Sequence, residues 1–198
     1  MIFVLLGIFL LFALFTFGIV WTFAKVFHWE SPQRTAGRWG EDYARAVIHG
    51  VMREGDVLIS NVSLTAEGKP TEIDNIIVND SGVFIIEVKN YVGQLYGTED
   101  DYEWIKYKTT DSGNTYPKQV KNPIKQVKRQ IYILSRLLKN NNVNVWITGY
   151  VYFVHENSPI DSSYVLVSPN DIDKAIHGKK AKGFGESEKR KVVELMGG

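Results

Sequence analysis

Residues 2–24 (IFVLLGIFLLFALFTFGIVWTFA) form an unbroken apolar run without a charge. As a helix, this run is long enough to cross a hydrocarbon core of roughly 30 Å. A short polar stretch with Pro32 follows, and the pattern then becomes mixed. Residues 35–52 carry Trp39, Tyr43, Ala46, Val47 and Gly50 at helical spacing, which predicts a helix. Residues 56–64 (DVLISNVSL) and 71–79 (TEIDNIIVN) read as strands, separated by the turn sequence AEGKP. A third strand at 83–89 is apolar at successive positions, as a strand buried on both faces would be.

Residues 94–108 read as a peripheral hairpin with an acidic tip. That tip holds Glu99, Asp100, Asp101 and Glu103, a pattern expected of a solvated turn more than of a cation site. A second long helix is predicted over 123–140, with Asn122 as N-cap and Pro123 at the first helical position. Its apolar face is Ile124, Val127, Ile131, Leu134 and Leu138. Strands at 143–154 and 164–168 and short helices at 171–177 and 186–196 complete the chain. The order helix, three strands, helix, strand predicts an α/β fold, a mixed sheet covered on both sides.

Charge and composition narrow the chemistry. With 198 residues and a net charge of +1, any argument for a nucleic-acid partner must come from local patches. There is no cysteine, so disulfides, thiol nucleophiles and thiolate metal sites are excluded. The histidines (His28, His49, His155 and His177) are scattered, which argues against zinc. The apolar run lacks a basic n-region and exceeds a usual signal-peptide core, so a retained anchor is expected. Lys25, Arg34 and Arg38 follow it, which places the remainder of the chain on the cytoplasmic side of a cell membrane as a single-pass protein. The expected organisation is an anchor at 1–27, a linker at 28–35 and a domain at 36–198, with its core in 36–154 and additions in 155–198.

The candidate chemistry lies where the third strand ends in Glu87-Val88-Lys89. The connection Asn79-Asp80-Ser81-Gly82 is a good turn sequence. With a two- or four-residue loop, Asp74 falls opposite Glu87, Cβ atoms about 4.5–5.5 Å apart, and Lys89 projects from the same face. An odd loop length breaks that arrangement. Facing carboxylates are relieved by a shared proton, by a lysine or by a divalent cation, and oxygen donors at this spacing suit Mg²⁺ or Mn²⁺. Glu41, on an early turn of the first helix, is a candidate third acid. The acid-free stretch with Lys118, Lys121, Lys125, Lys128 and Arg129 suits a phosphate-backbone track, or alternatively lipid headgroups. Gln126 and Gln130 add neutral hydrogen-bonding groups to it.

Gly37-x-x-Gly40-Glu41, Glu72-Ile73-Asp74, Gly82-Val83-Phe84-x-x-Glu87-Val88-Lys89-Asn90 with Gly93, and Asn122-Pro123-x-x-Gln126 occur in this order. Together they resemble the nuclease-related domain (NERD) family, placed by similarity in the PD-(D/E)xK nuclease superfamily. The resemblance implies a restriction-endonuclease-like α-β-β-β-α-β core. It also implies Asp74 and Glu87 as metal ligands, Lys89 as catalytic lysine, Glu41 as accessory acid and metal ligand, and Gln126 as a site residue from the second helix. Where the superfamily motif has a proline before the first aspartate, this chain has Ile73. The function expected is a membrane-anchored, Mg²⁺- or Mn²⁺-dependent nuclease, with DNA a likelier substrate than RNA. The alternative is a catalytically silent module that binds nucleic acid or a protein at the membrane.

Overall fold

The structure, a computed structural model, describes residues 16–17, 32–110, 112–155, 160–178 and 184–197. Apart from residues 16 and 17, the anchor expected at 1–27 lies outside them, as do residues 28–31 of the expected linker. Among the described residues no helix is long and apolar enough to cross a membrane. Residues Gly37–Gly198 form one compact unit, which holds the fold and the candidate site.

The first helix, α1 (Pro32–Val51), begins before the expected position at Thr35, with a proline whose fixed φ suits a first helical turn. Three antiparallel strands follow: β1 (Val57–Ala66), β2 (Lys69–Asn79) and β3 (Gly82–Lys89). The β2–β3 loop is Asp80-Ser81, closed by the Asn79–Gly82 pair, and the side chain of Asn79 accepts a bond from the Ser81 amide at 2.8 Å. A small sheet, β4 (Leu95–Tyr96), β5 (Glu103–Thr109) and β6 (Thr115–Lys121), precedes α2 (Pro123–Asn140). Strands β7 (Ile147–Phe153) and β8 (Val165–Leu166) complete the main sheet in the order β1-β2-β3-β7-β8, and β3, β7 and β8 run parallel. Helices α3 (Pro169–His177) and α4 (Glu186–Leu195) follow.

Strand β3 is central and buried on both faces. Val83 and Ile85 pack into one apolar cluster with Ile133, Leu134 and Leu138 of α2 and Val192 of α4. Phe84, Ile86 and Val88 pack into another with Ala44 and Ile48 of α1 and Ile172 and Ile176 of α3. Each fully buried side chain of this kind contributes about 1.5–3 kcal/mol relative to exposure. The same alternation carries Glu87 and Lys89 onto the α2 side. Gly149 of β7, paired with Ile85, lets α2 approach closely: a Cβ there would lie 2.4 Å from Val127 Cγ1.

Two expectations need correction. In α1 the buried stripe is Gly40, Ala44 and Ile48, while Trp39 is 54% and Tyr43 43% exposed. Both stripes have the same spacing, and periodicity alone does not choose between them. The choice falls to small residues because the helix backbone lies against Asn90; a Cβ on Gly40 would lie 2.7 Å from the Asn90 Cβ. The peripheral hairpin expected over 94–108 is a three-stranded sheet. Its last strand, β6, was hidden by Pro117 and by exposure along most of its length. The acidic tip is a fixed loop. Buried Asn122 caps α2 through Ile124 N at 2.9 Å and donates to the Thr98, Glu99 and Asp101 carbonyls at 3.1, 3.2 and 2.7 Å.

Candidate active site

At the C-terminal end of β3 the sheet's apolar interior gives way to a polar cluster. Glu87 is 2% exposed, a costly place for a carboxylate without partners. Gln126 Nε2 donates to its Oε1 at 2.6 Å and Gln130 Nε2 to its Oε2 at 2.7 Å, and Lys89 Nζ forms an ion pair with Oε1. Gln126 and Gln130 lie one helical turn apart on α2, so a single helix face delivers both amides. Gln130 also donates to the Glu72 carbonyl at 2.8 Å, which ties β2, β3 and α2 together at one point. Among the described residues its buried Oε1 has no hydrogen-bond partner.

Asp74 lies just beyond the last β2–β3 pair, Asn75–Ile86. Its Oδ2 accepts the Val88 amide at 2.7 Å, so the carboxylate bends toward the β3 backbone beside Glu87. Burial, then the Glu87 charge, pushes its pKa up to about 7; the Val88 amide and Lys89 oppose this, and Glu41 adds to the rise. Burial pulls the Lys89 ammonium downward, but the charge and hydrogen bond of Glu87 outweigh it and leave the lysine above its ordinary value. Lys89 is therefore a fixed cation at neutral pH, suited to neutralising an anion and not to accepting a proton. The Tyr91 hydroxyl is pushed up by burial, partly offset by Lys89, and the Lys106 ammonium stands 4.7 Å from its ring centre.

The site thus unites Asp74, Glu87, Lys89 and Gln126, with Glu41 within electrostatic reach of Asp74. Among the described residues no three acidic or histidine side chains cluster tightly enough to hold a metal ion together. A cation bound here would take its protein carboxylates from Asp74 and Glu87. That donor set fits Mg²⁺ or Mn²⁺, which accept one or two carboxylates and complete their shells with water and substrate oxygens.

Beside this cluster is a groove of about 800 Å³ lined by residues of the β1–β2 hairpin, by Tyr102 and Lys121, and by Lys125, Gln126 and Arg129 of α2. Three of the five expected phosphate-contacting cations therefore share one groove, and Gln126 connects it to Glu87. The other two point elsewhere. Lys128 stands 3.7 Å from Glu99 and 4.7 Å from the Tyr164 ring centre, and Lys118 lies on β6 opposite Lys106.

The sequence profile of the nuclease-related domain matches residues 36–154, the stretch that contains Glu41, Asp74, Glu87, Lys89, Gln126 and the groove cations. The chain belongs to the nuclease-related domain family. It is also 33% identical over 69 residues to an uncharacterized protein of Bacillus anthracis, a match covering 34% of this chain and 32% of that protein. The shared stretch thus spans about a third of the relative's length. No solved structure matches the chain.

Within this nuclease-related domain, the sequence read Gln130 only as a neutral group on the basic helix, not as a partner of Glu87, and did not single out Tyr91. Gln130 had a usable signal: it lies four residues after Gln126, on a helix face that is otherwise apolar. Tyr91 had none beyond its closeness to Lys89.

Proposed function

We propose that this protein is a membrane-anchored nuclease that hydrolyses phosphodiester bonds in DNA with Mg²⁺ or Mn²⁺ and works at the cytoplasmic face. The observation that carries the reading is the buried Glu87–Lys89 pair beside Asp74, joined through Gln126 to a groove lined by Lys121, Lys125 and Arg129. Membership of the nuclease-related domain family supports it. Asp74 and Glu87 would hold the cation, which would supply Lewis-acid polarisation of a phosphoryl oxygen and activation of water. Lys89 supplies a fixed positive charge for the developing phosphorane, and Gln126 and Gln130 hold the Glu87 carboxylate in one orientation. The groove cations hold the backbone in register with the scissile bond. Support for the anchor is the charge-free run at 2–24 followed by Lys25, Arg34 and Arg38.

The test is nicking of supercoiled plasmid by the full chain in detergent, with Mg²⁺ or Mn²⁺ against EDTA. Cleavage is expected only with metal, and Glu87→Ala and Lys89→Ala are expected to abolish it. Equal cleavage by wild type and both variants would remove these residues from the chemistry.

A second reading has an observation of its own. The Glu87 carboxylate already accepts bonds from Lys89, Gln126 and Gln130, so it is satisfied by protein donors alone. A nuclease fold that binds DNA without cutting it matches that arrangement. Calorimetry separates the two: DNA affinity without any Mg²⁺ or Mn²⁺ binding favours the silent module.

A further inference from the structure

The aromatic side chains that α1 leaves exposed form an ordered stack. The rings of Tyr43 and Trp39 lie 5.5 Å apart with planes 17° from parallel, and Trp39 continues to His155 at 6.5 Å and 22°. Scattered exposed aromatics are ordinary on protein surfaces. Three rings in near-parallel register are a different feature: Trp39 is 54% and Tyr43 43% exposed, so the stack keeps much of its surface open to solvent in one fixed orientation.

Its position ties the stack to the site. His155 Nε2 lies 2.9 Å from Asn90 Oδ1, and Asn90 directly follows Lys89. The Val154 amide bonds the Lys89 carbonyl at 3.2 Å, so His155 leaves the sheet at the same end as the candidate catalytic lysine. From the other side, α1 sets its backbone on Asn90 at Gly40, between Trp39 and Glu41. The stack therefore flanks the carboxylates from the α1 side, and the basic groove flanks them from the α2 side.

We infer that the Tyr43–Trp39–His155 stack is a platform for unpaired nucleobases, so the substrate is single-stranded at the site: its phosphates run in the Lys121/Lys125/Arg129 groove and its bases leave across Trp39. This rests on the nuclease reading and specifies its substrate class. A paired base keeps its faces within the duplex, whereas every unpaired base offers a π face to stack on, whatever its identity. A basic track combined with aromatic rings is the physical means by which single strands are held without sequence preference.

The experiment is fluorescence anisotropy of the full chain in detergent with EDTA present. The probes are an end-labelled oligothymidylate of about 20 nucleotides and a blunt duplex of equal length. Trp39→Ala is expected to raise the Kd for the single strand about tenfold and to leave the duplex Kd within about twofold. Trp39→Phe, which keeps a ring, restores most of the single-strand affinity, and His155→Ala gives a smaller loss than Trp39→Ala. Wild-type affinity for oligothymidylate in Trp39→Ala, or an equal loss on both probes, overturns the platform. If plasmid nicking persists in that case, the nuclease reading survives and only the platform fails. If the wild type binds neither probe, the platform falls, and plasmid nicking with Mg²⁺ or Mn²⁺ decides the nuclease reading separately.

Discussion

Asn61, held in the left-handed region at φ 56°, stands opposite Asp74 at a break in the β1–β2 ladder. Pairing runs up to Ser60–Asn75 and resumes at Val62–Ile73 in the same register. Across the break both strands exchange faces. Val57 and Ile59 lean on the α2-side cluster before it, Val62 and Leu64 belong to that cluster after it, and on β2 the same change separates Ile76 from Ile73. The local rotation frees Asp74 from ordinary pairing and leaves its carboxylate to reach the Val88 amide. Asparagine tolerates this conformation and a β-branched residue does not. Asn61→Gly is expected to be nearly neutral, and Asn61→Val to lower stability by about 1–2 kcal/mol. Urea titration followed by far-ultraviolet circular dichroism measures both, and equal stability of the two variants would remove the strain argument.

Gln130 predicts a different kind of loss. It is fully buried and bridges the Glu72 carbonyl and the Glu87 carboxylate. Gln130→Leu keeps the volume but leaves both acceptors without that donor, at a cost of about 1–3 kcal/mol. Gln130→Glu brings a second carboxyl against Glu87 and is expected to destabilise further as pH rises. Thermal melts at two pH values separate the variants: a pH-independent deficit for Leu, and one that grows with pH for Glu.

Asp74 makes metal and pH interdependent. Its folded pKa of about 7 lies above the ordinary value of 3.8, so the folded state binds the proton more tightly than the unfolded chain. For a raised pKa this contribution is fully present below pH 3.8 and is lost as pH rises through about 7. The metal-free protein should therefore lose stability across that window, and Asp74→Asn should flatten the loss. A divalent cation binds the ionised form, so the melting-temperature gain from Mn²⁺ should be larger at pH 8 than at pH 5.5 and absent in Asp74→Asn. An equal Mn²⁺ effect at both pH values would dissociate Asp74 from the cation.

The elements that carry the site were legible because local chemistry and tertiary structure agree on them. Asn122-Pro123 opens α2 where its capping residues said it should, and the even-length Asp80-Ser81 loop sets the register that Asp74 and Glu87 require. The less legible features depend on what lies across space. Asn61 is a residue type that tolerates the left-handed region, but nothing next to it in the sequence marks this asparagine for a kink. The exposure of Trp39 depends on Asn90 meeting Gly40, and β6 has too little burial to leave a period in the sequence. Gly149 belongs with these: nothing near it in sequence shows that α2 passes so close, yet a side chain there collides with Val127 and Ile131. Gly149→Ala should lift the helix that carries Gln126 and Gln130, and so reduce cleavage more than global stability, measured by nicking rate beside thermal melts.

The five cations singled out in the sequence separate into two groups that salt dependence can tell apart. Lys121, Lys125 and Arg129 share the groove, and Arg129 is steadied by a 3.0 Å bond to the Pro70 carbonyl that leaves its charge in place. Lys128 is engaged by Glu99 and Tyr164, and Lys118 belongs to the small sheet outside the groove lining. Each phosphate neutralised releases counterions, so the logarithm of affinity falls with the logarithm of salt in proportion to the number of contacts. Lys125→Gln or Arg129→Gln should weaken DNA binding and reduce that slope by about 1 each on a duplex and slightly less on a single strand. Lys118→Gln and Lys128→Gln should leave the slope unchanged. A slope that drops equally for all four would mean that the protein meets DNA through diffuse positive charge, and that the groove does not select the path of the backbone.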